Sequence, residues 1–264
     1  MKMSFRERYG AWAVVTGASS GIGEEFARQL AKRGLSLVLC ARRKERLDAL
    51  GAELTRAHGI ETRALELDVG QADFIATLSR AIEGLDVGLV VSNAGFGEKG
   101  PFLQSSLARD LQMLDVNCRA FLLVAHEFGK RLAARGRGGI IFTSSTAAFQ
   151  GLPFSAHYAA TKGYGLQLAE GLWFELKPHG VDILALCPGP TDTEGPRRTG
   201  VDPAKVPVKM MSVEPVVRAA LAGLGKVPVV VPGATNRLAH LLVRLTPRRV
   251  ATEIAGRLIR RATT

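Results

Sequence analysis

A tyrosine and a lysine stand four residues apart in the stretch SAHYAATKGY, which occupies positions 155–164. The surrounding pattern predicts a helix, and side chains at i and i+4 share one helix face with Cβ atoms about 5–6 Å apart. A free phenol, with a pKa of about 10, is a reluctant proton donor near neutral pH. A neighbouring ammonium favours the phenolate and lowers that pKa. Tyr158 and Lys162 are therefore a candidate acid and its tuning group, although this spacing alone is more often a matter of packing.

A glycine-rich stretch, VVTGASSGIGEEF, leads from a short apolar segment into an amphipathic one. Glycines allow a sharp backbone turn close to a pyrophosphate, and the helix that follows presents free N–H groups and a positive dipole end. Such a turn is a weak signal alone, but a strand before it and a helix after it strengthen the interpretation. The residues predicted to bind a dinucleotide here are Gly17, Ser19, Ser20, Gly21, Ile22 and Gly23.

The second apolar segment ends in LVLCARRKERL. In folds that bind NAD, an acidic residue at this point hydrogen-bonds the ribose hydroxyls. Ala41 stands there instead, and Arg42 and Arg43 follow it. A guanidinium suits a 2′-phosphate, so the sequence favours NADP(H) over NAD(H). The alternative is that the two arginines only begin a surface helix.

Short β-branched segments alternate with longer amphipathic stretches along the chain. This alternation predicts a parallel sheet with helices on both faces. Strands are predicted at 12–16, 35–40, 62–67, 87–91, 139–142, 181–187 and 227–231, and helices include 23–33, 44–58, 107–135 and 156–178.

The length of 264 residues suits one large α/β domain. No apolar run reaches the roughly 20 residues of a membrane span, and no signal-peptide pattern precedes the first strand, so we expect a cytoplasmic protein. Cys40, Cys118 and Cys187 form no metal-binding or redox spacing and are interpreted as core residues. The sequence predicts no metal site.

The positive charge is concentrated at the C-terminal end. Residues 234–264 contain seven arginines and one acid, which gives +6 of the chain's net +11. Leu238, Leu241, Leu242 and Leu245 have helical spacing, as do Val250, Ile254 and Leu258. We expect a basic amphipathic extension, 234–264, attached to a cofactor-binding domain, 1–233. Packing on the domain or on a partner subunit is favoured over a weak peripheral membrane contact, and no nucleic-acid partner is expected.

The stretch at about 190–212 lacks a regular pattern and is predicted to be a substrate loop. Met210 and Met211 suit either an apolar substrate or the core of the next helix. Arg197, Arg198 and Lys209 would suit an anionic substrate.

Seven motifs occur in order: TGASSGIG (16–23), LDV (67–69), NAG (93–95), DVN (115–117), TSS (143–145), YAATK (158–162) and PG (188–189) followed by Thr193. On these motifs the chain resembles the short-chain dehydrogenase/reductase family of the classical type over about residues 10–233. The resemblance implies a single-domain Rossmann fold with a doubly wound, seven-stranded parallel sheet. It also implies NAD(P)-dependent reduction of ketones or aldehydes, or the reverse oxidation of alcohols.

The resemblance also implies roles for individual residues. Tyr158 matches the family's proton donor and Lys162 its partner, while Ser145 matches the serine that binds the substrate oxygen, with Ser144 as the alternative. Asn117 matches the asparagine that holds a water against the lysine. Cofactor contacts are implied for Asp68 and Val69 at the adenine, for Asn93, Ala94 and Gly95 at the centre, and for Pro188, Gly189, Thr191 and Thr193 beside the nicotinamide. Tyr158 and Lys162 are also expected to contact the cofactor, the lysine at the nicotinamide ribose.

The function these patterns favour is that of an NADP(H)-dependent carbonyl reductase, or an alcohol dehydrogenase running in reverse, with a small-molecule substrate. A homodimer through helices 107–135 and 156–178 is expected. The alternative is a regulatory or scaffold protein that keeps the fold and binds NADP(H). The complete Ser-Tyr-Lys-Asn set argues against that alternative, because a sensor has no need of a proton relay.

Overall fold

Seven short strands form a single parallel sheet. They are β1 Trp12–Thr16, β2 Ser36–Ala41, β3 Thr62–Glu66, β4 Val87–Ser92, β5 Gly138–Thr143, β6 Val181–Leu186 and β7 Val229–Val230. Their order across the sheet is β3-β2-β1-β4-β5-β6-β7, and every neighbouring pair is parallel. The order reverses between β1 and β4, which is where open α/β sheets bind ligands at the carboxyl ends of the strands.

Helices connect the strands in the computed structural model, which describes residues 3–195 and 210–263. They are α1 Phe5–Tyr9, α2 Gly21–Ala31, α3 Lys44–His58, α4 Phe74–Ala81, α5 Leu107–Leu114, α6 Ala120–Arg135, α7 Ala156–Leu176, α8 Val213–Gly223, α9 Ala234–Leu245 and α10 Arg248–Thr263.

The core lies on both faces of the sheet because successive strand residues point in opposite directions. In β1, Ala13 and Val15 face one apolar cluster, which α2, α3 and α8 complete. Trp12 and Val14 face the other cluster, which α4, α6 and α7 complete. All five residues of β1 are buried, as a strand covered by helices on both sides must be. The expected doubly wound Rossmann architecture is confirmed.

One predicted helix is interrupted. The pattern predicts a continuous helix over 107–135, but a π-helical segment, Asp115–Arg119, separates α5 from α6. Such segments are rare and are frequently found at functional sites. The segment contains Asn117, one of the predicted catalytic residues.

The substrate-loop prediction is described only at its two ends. Arg197, Arg198 and Lys209 lie outside the described residues. Met211 forms a bridge with Thr191 and packs against the core, which favours the core alternative for this methionine. In the described part of the chain, no helix combines the length and the apolar character needed to cross a membrane.

The extension forms two helices, α9 and α10, as the periodicity predicts. The leucines of α9 do not pack on the domain, because Leu238, Leu241, Leu242 and Leu245 are all exposed. Of the expected alternatives, packing of this stripe on the domain is therefore wrong. Two polar residues of α9, Asn236 and His240, contact the domain instead, and they are described below.

Candidate active site

Two turns meet where the strand order reverses. The turn after β1 begins at Gly17, and the turn after β4 contains Asn93 and Ala94. The buried hydroxyl of Thr16 accepts hydrogen bonds from the backbone N–H groups of Asn93 and Ala94, at 2.9 and 3.1 Å. The Asn93 side chain donates to the Thr16 carbonyl oxygen at 3.1 Å. These bonds hold the predicted central cofactor contacts against the glycine-rich turn.

The glycine-rich turn is packed too closely for side chains. Gly17 and Gly21 have φ of +68° and +59°, and a methyl group at Gly17 would lie 2.9 Å from Asn93 Nδ2. A methyl group at Gly23 would overlap the Gly17 carbonyl oxygen. Helix α2 begins at Gly21, and Ser20 at its N-cap makes no side-chain capping hydrogen bond. An exposed backbone cradle at a helix N-terminus fits the pyrophosphate of a dinucleotide.

Arg43 reaches over this turn. Its guanidinium donates to the hydroxyls of Ser19 and Ser20, at 3.0 and 2.8 Å. It also forms an ion pair with Glu194 at 2.8 Å, which Arg46 shares. The two arginines lower the pKa of Glu194 through these bonds. A positively charged fork that is bonded to both serines of the turn suits a phosphate on the ribose.

Arg42 and the residues after β3 form the neighbouring wall. The Arg42 guanidinium is 4.0 Å from the Asp68 carboxylate, and Asp68 also accepts a hydrogen bond from the N–H of Gly70 at 2.9 Å. Val69 is buried in the core. Of the two predicted adenine contacts, only Asp68 is therefore partly open to solvent.

The two serines after β5 are used differently. Ser144 is buried, and its hydroxyl donates to the carbonyl oxygen of Lys162 at 2.7 Å. Ser145 is half-buried and forms a side-chain hydrogen bond with Tyr158. The geometry therefore selects Ser145, rather than Ser144, as the hydroxyl beside the tyrosine.

Lys162 lies inside the site with 4% of its surface exposed. Its ammonium donates to the Thr143 carbonyl oxygen at 2.9 Å and is 5.9 Å from the centre of the Tyr158 ring. Burial lowers the pKa of Lys162 to about 8, and the effects of Cys187 and Cys118 oppose that shift. A buried amine with a pKa near neutrality is characteristic of functional sites.

The expected lowering of the Tyr158 pKa is not seen, because the net shift of that pKa is upward. Burial raises the pKa of Tyr158, and the hydrogen bond with Ser145 only partly opposes this effect. Desolvation of the phenolate therefore outweighs the favourable effect of a nearby cation.

Asn117 is fully buried and connects the site to the loop after β4. Its amide donates to the Phe96 carbonyl oxygen at 2.8 Å and to the Thr161 hydroxyl at 3.0 Å. Its Oδ1 accepts from the Phe96 N–H at 3.1 Å. A methyl group at Gly95 would lie 3.0 Å from this oxygen and 3.1 Å from Lys162 Nζ. Asn117, Lys162 and the NAG turn therefore converge, and only glycine at 95 lets them approach.

The segment after β6 carries the last predicted contacts. Thr191 is buried and donates to the Gly189 carbonyl oxygen at 2.9 Å. Thr193 lies over the glycine-rich turn, since a methyl group at Gly21 would be 2.9 Å from its side chain. A methyl group at Gly189 would lie 2.5 Å from Asn236 of α9. The extension is thus in contact with the segment predicted to lie beside the nicotinamide.

Several supporting residues were not predicted. Thr16 and Thr161 are buried hydroxyls that join the turns of the site, as described above. Thr16 is the first residue of the TGASSGIG motif, so its position beside the turn could have indicated a role in the site. Asn236 carried no signal, because it belongs to the extension and contacts the site only through the fold.

The sheet order and the glycine-rich turn together define a Rossmann fold of the dinucleotide-binding type, and Ser145, Tyr158 and Lys162 lie near the carboxyl end of β5. The family described as short chain dehydrogenase matches residues 11–203. The chain belongs to that family.

Its relatives act on hydroxyl and carbonyl groups. A 7β-hydroxysteroid dehydrogenase from Clostridium sardiniense is 34% identical over 235 residues, which cover 89% of this chain and 90% of the relative. A very-long-chain 3-oxoacyl-CoA reductase from Podospora anserina is 38% identical over 179 residues, which cover 66% of this chain and 53% of the relative.

Solved structures have the same fold. A 7β-hydroxysteroid dehydrogenase structure matches with a TM-score of 0.87 at 28% identity, over 96% of this chain and all of the other. A short-chain dehydrogenase from Sphingobium yanoikuyae in complex with NADPH matches with a TM-score of 0.79 at 33% identity, over 89% of this chain and 93% of the other.

Proposed function

We propose that the protein is an NADP(H)-dependent oxidoreductase that reduces a ketone or aldehyde, or oxidises the corresponding secondary alcohol. The observation that carries this proposal is the convergence of Ser145, Tyr158 and Lys162 at the carboxyl end of β5. Gly95 brings the same cluster into contact with the turns that line the dinucleotide cradle. A regulatory protein would not need this arrangement.

The chain would hold the cofactor at the glycine-rich turn, with Arg42 and Arg43 beside the 2′-phosphate. When bound, NADP(H) supplies or accepts the hydride at the substrate carbon. The preference for NADP(H) is supported by the arginine fork over Ser19 and Ser20, and by the NADPH bound to the Sphingobium relative.

The proton chemistry belongs to the chain. In the reductive direction Tyr158 gives its hydroxyl proton to the substrate oxygen, and its raised pKa keeps that proton in place until the oxygen needs it. Ser145 donates a hydrogen bond to the same oxygen as negative charge develops there. Lys162 is the nearby cation that stabilises the remaining phenolate.

The substrate class we propose is a bulky, mostly apolar carbonyl compound. The names of the relatives support this class, because they specify a hydroxysteroid and a very-long-chain 3-oxoacyl thioester. A further similar structure is described as an alcohol dehydrogenase specific for bulky-bulky ketones.

The test is a panel of oxosteroids, long-chain 3-oxoacyl thioesters and small aromatic ketones, with NADPH oxidation followed by absorbance. Tyr158→Phe is the matched control, since it removes only the hydroxyl group that would donate the proton. We expect turnover of at least one bulky carbonyl compound by the wild type. We expect a loss of about 10²–10⁴-fold in the variant, with the NADPH Kd unchanged. Tight NADPH binding with no turnover across the panel would instead favour the regulatory alternative.

A further inference from the structure

Helix α9 carries an apolar stripe that the described part of the chain leaves uncovered. Leu238, Leu241, Leu242 and Leu245 are 58%, 50%, 56% and 74% exposed. Their i, i+3, i+4, i+7 spacing aligns them along one side of the helix. Four exposed leucines in one row differ from the isolated surface leucines that most proteins carry.

Polar contacts fix the orientation of this helix. The Asn236 amide donates to the Pro232 carbonyl oxygen at 2.9 Å, and its side chain lies against Gly189. The His240 ring packs on the Phe149 ring with centroids 3.8 Å apart. At about 100° per residue, the leucine stripe is centred about 180° from these two anchors. The stripe therefore points directly away from the domain.

Helix α10 adds a second apolar stripe. It packs on the protein through small residues, because Ala251 and Ala255 are buried and Gly256 lies against Pro153. Its larger apolar side chains remain exposed; they are Val250, Ile254 and Leu258. We refer to the exposed apolar residues of the two helices collectively as the α9–α10 surface.

Arginines border this surface. The segment from 234 to 264 has seven arginines against one acid. On α9, Arg237 and Arg244 lie on the same flank, about 90–110° from the centre of the leucine stripe. Leucines directed outward, with guanidinium groups at their side, match a layer of acyl chains bordered by anionic headgroups.

We propose that the α9–α10 surface docks on anionic lipid bilayers. The twelve residues of α9 are fewer than the roughly 20 that a span needs, so the helices would lie in the plane of the membrane interface. A second copy of the chain fits less well. In a two-fold contact the same patch meets itself, and two segments of charge +6 would then face each other.

The test is co-sedimentation of the full-length protein with vesicles of two compositions. One is phosphatidylcholine alone, and the other is phosphatidylcholine with phosphatidylglycerol at about 3:1. We expect the partition coefficient to be at least about tenfold higher on the anionic vesicles, and to fall when NaCl rises from about 0.1 to 0.5 M. Arg237→Glu with Arg244→Glu should remove most of the anionic preference, whereas Arg56→Glu on α3 should not.

The leucine stripe is tested by Leu242→Asp with Leu245→Asp. This pair should reduce vesicle binding by at least about tenfold. The control is Met3→Asp before α1, where the wild-type side chain is 54% exposed; it should bind as the wild type does. The proposal is overturned if the wild type binds neither kind of vesicle, or if binding survives the paired leucine substitutions. Dissociation of an oligomer by those substitutions, without vesicle binding by the wild type, would identify a second copy as the occupant.

Discussion

Lys162 Nζ donates a 2.9 Å hydrogen bond to the carbonyl oxygen of Thr143 and lies 5.9 Å from the centre of the Tyr158 ring. The lysine is held at the end of β5 by the backbone, and its own carbonyl oxygen accepts from Ser144. Hydrogen bonds therefore hold both the backbone and the ammonium of Lys162 in a buried position. Because burial lowers its pKa to about 8, the charge of this amine depends on pH near neutrality.

We expect the alkaline limit of activity to follow Lys162. Burial lowers the pKa of this amine to about 8, so the ammonium is present below that pH and is lost above it. The kcat/KM for reduction should therefore decline above pH 8, because it reports groups of the free enzyme. A direct measurement is the titration of ¹³C-labelled lysine ε-carbons by NMR, with Lys162→Arg used to assign the signal. A Lys162 signal that titrates near the ordinary lysine value would contradict the expectation.

Substitutions of the two adjacent serines should have different effects, with Ser145 affecting catalysis and Ser144 affecting stability. Ser145→Ala removes the hydroxyl beside Tyr158, and we expect kcat/KM to fall by about 10²-fold or more while the melting temperature changes little. Ser144→Ala removes the buried hydrogen bond from this hydroxyl to the Lys162 carbonyl oxygen, which should cost about 0.5–1.5 kcal/mol of unfolding free energy. Paired activity assays and thermal unfolding curves measure both effects. If both variants lost only stability, Ser145 would have no place in the chemistry.

Much of the fold follows from local patterns. The central strands, such as β1 and β4, are buried on both faces and almost wholly apolar, so they could be located from the sequence. Helix α3 has the bounds that its periodicity predicts. The break at Asp115–Arg119 could not be predicted. DVNCR contains no glycine or proline, and the break is fixed by tertiary hydrogen bonds of Asn117 to Phe96 and Thr161.

Part of the candidate site could likewise be predicted from the sequence, and part could not. Motif order and spacing were enough to bring Ser145, Tyr158 and Lys162 together as candidates. The hydrogen bond from the Lys162 ammonium to the Thr143 carbonyl oxygen was not predictable. Every residue has a backbone carbonyl, so residue types do not show which one a side chain will contact. The outward orientation of the α9 leucines also could not be predicted from the sequence. Periodicity identifies an apolar face, but only the anchors at Asn236 and His240 decide where that face points.

Cofactor selectivity should depend on Arg42. The Arg42 side chain is 64% exposed at the end of β2, where a 2′-phosphate would be recognised. We expect Arg42→Ala to raise the Kd for NADPH by about ten- to a hundredfold, as for a lost charge-assisted hydrogen bond, and to change the Kd for NADH far less. Titration calorimetry with both cofactors measures this, and Arg56→Ala on α3 is the control. Equal losses for both cofactors would mean that Arg42 does not contact the 2′-phosphate.

The exposed apolar residues of α5 and α7 predict a homodimer that is independent of the α9–α10 surface. Phe174 on α7 is 75% exposed, and Leu107 and Leu111 on α5 are 73% and 52% exposed. Large apolar side chains on neighbouring helices are typical of an interface between subunits. We expect Phe174→Asp to yield a monomer at micromolar concentration, because the carboxylate would have to be desolvated at the contact. Light scattering after size-exclusion chromatography measures the mass, and Leu245→Asp should leave the dimer intact. A wild type that is already monomeric would contradict the prediction, as would a dimer that only Leu245→Asp disrupts.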